Sequence, residues 1–142
     1  MVSRFWQGVA GCLALSACAH NRTDVPYFPN PNVSEPAKVI ERVIKSQPPA
    51  WADPVPYEVI VKSDCIELRT TERGGFLSRG TPGEVRSAIC YQNIGKVVLN
   101  YTNIWYVEIL DRSGMGMYNV FSFDESEAKL FIDALYTVME RQ

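Results

Sequence analysis

Histidine is almost missing from this chain, with one, His20, in 142 residues. A zinc site of the usual Cys/His kind cannot be built from a single imidazole, and residues 34–142 offer no histidine to activate a serine or cysteine nucleophile. A strong charge of one sign is also lacking: 14 basic and 16 acidic residues leave a net −2. Nothing here draws the chain to a polyanion, so nucleic acid is not an expected partner. The apolar N-terminal segment, Phe5 to Leu15, falls short of the roughly 20 residues a membrane-spanning helix needs. The glycine-bearing stretch Gly74-Gly75-Phe76-Leu77-Ser78-Arg79-Gly80 lacks a closing Lys-Ser/Thr, which excludes a nucleotide-binding loop. No cofactor or metal is expected.

What is present begins at the N-terminus. Arg4 gives a positive start, Phe5 to Leu15 an apolar core of secretory length, and Ser16-Ala17 two small residues before Cys18. Leu15-Ser16-Ala17-Cys18 resembles the lipobox of bacterial lipoproteins. The resemblance implies a signal peptide over 1–17, cleavage before Cys18, and acyl chains on that cysteine. At about 0.8 kcal/mol per buried methylene, two or three chains hold a protein on a membrane. Ala19 stands where an aspartate would favour the inner membrane, so the family implies the periplasmic face of an outer membrane.

Cleavage removes Arg4 and no acid, shifting the net charge from −2 to −3. It also removes Cys12, and with Cys18 acylated, Cys65 and Cys90 remain as an even pair in a compartment that permits disulfides. Residues 18–33 hold Pro26, Pro29, Pro31 and several asparagines, which predicts a flexible tether with His20 solvated inside it. Ser34 as N-cap, Pro36 in the first turn and Ala37, Ile40, Val43, Ile44 and Gln47 along one face predict a helix over about 35–46. Pro48-Pro49 ends it. Trp51, among prolines, reads as a plug over the core edge, with peptide or sugar stacking as the alternative.

From Tyr57 the period becomes two. Tyr57, Val59 and Val61 alternate with Glu58, Ile60 and Lys62, a tight turn falls at Ser63-Asp64, and Ile66 and Leu68 alternate with Cys65, Glu67 and Arg69. Glycines and prolines mark a loop over 71–84, and strand character resumes at Val85–Tyr91. Pairing Thr70 with Val85 makes paired positions sum to 155 and sets Cys65 opposite Cys90. Directly opposed Cβ atoms lie about 4.5–5.5 Å apart, near enough for a disulfide after local adjustment; free thiols are the alternative. A short strand around Val97-Val98-Leu99, a clear one over 104–110 and another over 117–123 follow, the last two joined at Asp111-Arg112-Ser113-Gly114. Trp105, Val107 and Ile109 share a face. Phe121 and Phe123 also share one, and Trp105 beside them reads as core.

Asp124 with Glu127 forms a capping-box-like start, and Ala128, Phe131, Ile132, Leu135, Val138 and Met139 make an apolar stripe to the chain end. The predicted class is α+β: a short N-terminal helix, about six mostly antiparallel meandering strands as a bent sheet or small barrel, and a C-terminal amphipathic cap. The ending, Tyr118-Asn119-Val120-Phe121-Ser122-Phe123 followed by Asp124, Glu127-Ala128 and Phe131-Ile132-Asp133-Ala134-Leu135, resembles pleckstrin-homology-like domains. The resemblance covers about 57–142, and the helix before the first strand departs from it. The domain proper is then 34–142.

One stretch has a local positive excess. Arg69, Arg73, Arg79 and Arg86 meet only Glu72 and Glu84 there, among glycines whose amides could approach an anion. Carboxylates such as Glu67, Glu108, Asp111 and Asp124 show no acid/base spacing, and no catalytic residue is assigned. The leading expectation is a membrane-anchored envelope lipoprotein with a non-catalytic domain that binds another envelope protein. The alternatives are a binder of an anionic small molecule or polymer through the 71–84 loop, and a hydrolase that carries no recognised motif.

Overall fold

The computed structural model describes residues 23–72 and 83–142. Strand β1 (Thr23–Val25) is followed by helix α1 (Pro36–Lys45), then β2 (Glu58–Val61), β3 (Cys65–Thr71) and β4 (Glu84–Cys90). A 3-10 turn at Tyr91–Asn93 leads into β5 (Ile94–Tyr101), β6 (Trp105–Asp111), β7 (Gly116–Ser122) and helix α2 (Glu125–Glu140). Two antiparallel sheets form, β2-β3-β4 and β1-β5-β6-β7. The α+β class and the closing helix are as expected, but the sheets do not close into a barrel.

The strand faces follow from parity. In the three-stranded sheet Val59, Ile66, Leu68 and Ile89 turn inward; in the four-stranded sheet Leu99, Val107, Ile109 and Val120 do. α2 lies against β5, β6 and β7, and α1 packs on α2, β2 and β7. The two helices contribute Ile40, Val43, Ile44, Phe131, Ile132 and Leu135 to the same core. Gly95 sits where β5 meets the end of β6: a Cβ there would stand 2.4 Å from the Asp111 carbonyl oxygen, so any larger residue must push backbone aside.

Three expectations need correction. The tether over 18–33 is not free along its length, because β1 pairs with β5, Thr23 facing Tyr101 and Val25 facing Leu99. Beyond it the Tyr27 hydroxyl donates to both Asp133 carboxylate oxygens at 2.9 Å, the Asn30 amide to Asp133 at 2.8 Å and the Val33 amide to Thr137 at 3.2 Å. Prolines keep the segment extended, and α2 supplies the acceptors that bind it. Residues 23–33 therefore pack with the domain. The N-cap of α1 is Glu35 instead of Ser34, with no side-chain cap. Phe121 and Phe123 do not share the face of Trp105: that tryptophan lies opposite Ser122, so Val120 and Ser122 point inward and the phenylalanines outward. Buried Ser122 is satisfied there, donating to Glu127 at 2.9 Å and accepting from the Asp124 amide at 3.1 Å.

Candidate functional site

The outer face of the β2-β3-β4 sheet carries the described part of the arginine cluster. Arg69 and Arg86 are direct cross-strand neighbours. Their charges are answered locally. The Arg69 guanidinium lies 2.8 Å from Glu58 and 3.9 Å from Glu84, and Arg86 is paired to Glu84. Lys62 and Glu67 form a further pair on this face. Among the described residues of this face three cations thus meet three carboxylates, two of which, Glu58 and Glu67, lie outside the 69–86 stretch. The Arg86 guanidinium holds the Glu84 carboxyl below its ordinary range. Glu67, Leu68, Arg69, Arg86, Ser87 and Ala88 line a depression of about 270 Å³. Arg73 and Arg79 lie outside the described residues, as do Cys18 and His20.

Cys65 and Cys90 face each other in the expected register. The Tyr91 amide donates to Asp64 at 3.0 Å and the Glu72 amide to Gly83 at 2.7 Å. Those residues form the hydrogen-bonded pairs of this ladder, so the cysteines occupy a non-hydrogen-bonded pair, where side chains approach most closely. Of the two readings the sequence left open, a disulfide or free thiols, the cysteines here are free. Burial, aided by the Asp64 carboxylate, pushes the Cys65 thiol up to about 11. A thiol so held in its protonated form is a weak nucleophile.

The outer face of the other sheet carries an aromatic group among polar residues, Asn100, Glu108 and Asn119. Phe121 is flanked by Tyr106 on β6, ring centroids 5.5 Å apart, and by Trp51 from the loop after α1, 6.1 Å away. Trp51 is 43 % exposed and Phe123, one step further along the same face, 73 %. Trp51 is held in place by a turn in which its amide donates to Pro48 at 2.9 Å. It therefore covers the outward sheet face and not the core edge. The aromatic row is the feature the sequence reading missed. The signal for it was the alternation Val120, Phe121, Ser122, Phe123, in which the small residues and not the large ones meet the inward row of β6.

Among the described residues no group of three or more His, Cys, Asp or Glu side chains is arranged to hold a metal ion. Two tyrosines titrate high. Tyr27 is raised to about 12 by burial and its bond to Asp133, and Tyr91 to about 12 by burial, its hydroxyl donating to the Lys62 carbonyl at 3.0 Å. Comparison with protein-family models, curated proteins and solved structures finds no match to this chain.

Proposed function

We propose that this protein is a lipid-anchored bacterial envelope lipoprotein whose domain binds another envelope protein without catalysing a reaction. The lipobox Leu15-Ser16-Ala17-Cys18 supports the anchor. The observation that carries the binding role is the outward aromatic row of Trp51, Tyr106 and Phe121 on a sheet face. Trp51 is exposed, with Tyr106 and Phe121 partly buried beside it, and a clustered aromatic group at a surface has the composition of an interaction hot spot. The arginine face supports the anion-binding alternative less well, since its described cations are already matched by carboxylates. The succession of six meandering strands and a closing helix supports a pleckstrin-homology-like assignment; the open sheets and α1 are its departures.

In-cell cross-linking followed by purification and mass spectrometry tests the reading, with a lipidated protein of similar abundance as control. One envelope protein should be enriched, and Trp51→Ala or Phe121→Ala should cut its recovery by about tenfold or more, as expected for a hot-spot residue. Recovery unchanged in both variants, or no enrichment over the control, overturns the reading.

A further inference from the structure

One end of the β1-β5-β6-β7 sheet is aromatic, and it is the end at which the chain arrives from Cys18. Thr23 faces Tyr101, Tyr101 faces Trp105 and Trp105 faces Ser122, so these residues form a row across all four strands. Phe123 follows Ser122 just past the end of β7, at the same end of the sheet but turned to its outward face. Tyr101 is 41 % exposed and stacks on Trp105 with centroids 4.7 Å apart, and Phe123 is 73 % exposed. The hairpin end at Met115 lies at the opposite pole of the sheet.

Chain length fixes where this row sits if Cys18 is acylated. Five Cα–Cα steps separate Cys18 from Thr23, and at 3.3–3.6 Å per residue they span at most about 18 Å. A headgroup layer occupies roughly 5–8 Å of that. Thr23 is locked into the sheet, so the slack cannot be taken up by the domain turning its other end to the bilayer. Tyrosine, tryptophan and phenylalanine are the residues that settle at the boundary between headgroups and acyl chains.

We infer that the sheet end carrying Tyr101, Trp105 and Phe123 lies on the lipid surface as a second, non-covalent membrane contact. The inference rests on the lipid-anchor reading above. Its orientation leaves the row of Trp51, Tyr106 and Phe121 beside the membrane, where it would meet a membrane-bound partner. Asp24, Asp124 and Glu125 flank the aromatic end, so the contact is with zwitterionic lipid and weakens as anionic lipid is added.

The test uses the full-length protein purified from membranes and reconstituted into phosphatidylcholine vesicles whose acyl chains are brominated near the headgroups. Intact mass first establishes acylation of Cys18. Tryptophan reporters are then compared at the two poles, Phe123→Trp against Met115→Trp, each read as the emission added to that of Trp51 and Trp105. The Phe123→Trp reporter should lose roughly half its emission to shallow bromine, a depth typical of interfacial side chains, while the Met115→Trp reporter is unaffected. On acylated protein, equal quenching at both poles or none at position 123 overturns the membrane contact while the anchor stands. Absence of acyl mass overturns the anchor itself, and the contact with it.

Discussion

One buried amide, that of Gln47 just after α1, joins that helix to β7. Its Nε2 donates to the Ile44 carbonyl at 3.0 Å, near the C-terminus of α1, and to the Tyr118 hydroxyl at 3.2 Å, while its Oε1 accepts from the Phe121 amide at 2.9 Å. That amide belongs to edge strand β7 and points away from β6, so Gln47 closes an otherwise open hydrogen-bonding edge behind the aromatic row. Replacing it by alanine strips partners from a helix carbonyl and a strand amide at once. We expect Gln47→Ala to lose about 1–3 kcal/mol in urea unfolding; a loss below a few tenths would mean that water satisfies these groups fully. That Gln47 continues the apolar face of α1 past its end at Lys45 was legible from helical spacing. Its partners, 71 and 74 residues away, were not, because no local pattern records which strand edge a helix end will meet. The partner of Arg69 was illegible for a related reason: it finds Glu58 across a strand pair, whereas a count along the sequence sees only neighbours in the same stretch.

At the scale of elements, local chemistry was a good guide wherever one segment carried its own signal. The β3–β4 register and the span of α1 followed from alternation, spacing and turn residues. The hairpin at Asp111 did so too: its carboxylate accepts from the Ser113 and Met115 amides at 2.8 and 2.9 Å, and Gly114 takes φ 86°. β1 was illegible because three residues, Thr23–Val25, have no periodicity of their own and become a strand only by adding to β5. The start of α2 illustrates a signal half right. Asp124 is the N-cap, accepting from the Ser126 amide and hydroxyl, each at 2.8 Å. Glu127, expected to complete a capping box, instead accepts from Ser122. The Ser126 hydroxyl, its amide and the Glu127 amide hold the Asp124 carboxyl below its ordinary 3.8. A lowered folded-state pKa gives stability that is present above the unfolded value and lost as pH falls through the folded one. Asp124→Ala should therefore lower Tm by roughly 3–6 °C at neutral pH, with the gap from the parent shrinking below about pH 4. Asp124→Asn, which caps without ionising, should retain most of the parent Tm at neutral pH and show no such acid-dependent loss. A gap that stays constant to pH 2 would mean that the carboxylate charge contributes nothing to the cap.

For the whole molecule, two separate sheets raise the question of whether they unfold separately. Each alone is small: a three-stranded sheet with charges on its outer face cannot bury enough apolar surface by itself. Both draw on one core instead. Val59, Ile66, Leu68 and Ile89 from the first sheet, and Leu99, Val107, Ile109 and Val120 from the second, belong to a single cluster with both helices, and Phe131 of α2 is fully buried in it. The sheets are thus coupled through helices more than through each other, and this is why an open pair of sheets suffices where a closed barrel was one expectation. If that coupling is right, removing the Phe131 ring weakens both sheets together. Phe131→Ala should cost about 3–5 kcal/mol, the usual range for a large ring deleted from a core. Trp105, and Trp51 against Phe121 of β7, report on the four-stranded sheet, and far-ultraviolet circular dichroism on all strands and both helices. In parent and variant alike the two signals should trace one urea transition, moved to lower midpoint with its slope preserved. Two transitions in the variant, with fluorescence and dichroism separated, would show that the three-stranded sheet is held by its own hairpins and not by the shared core.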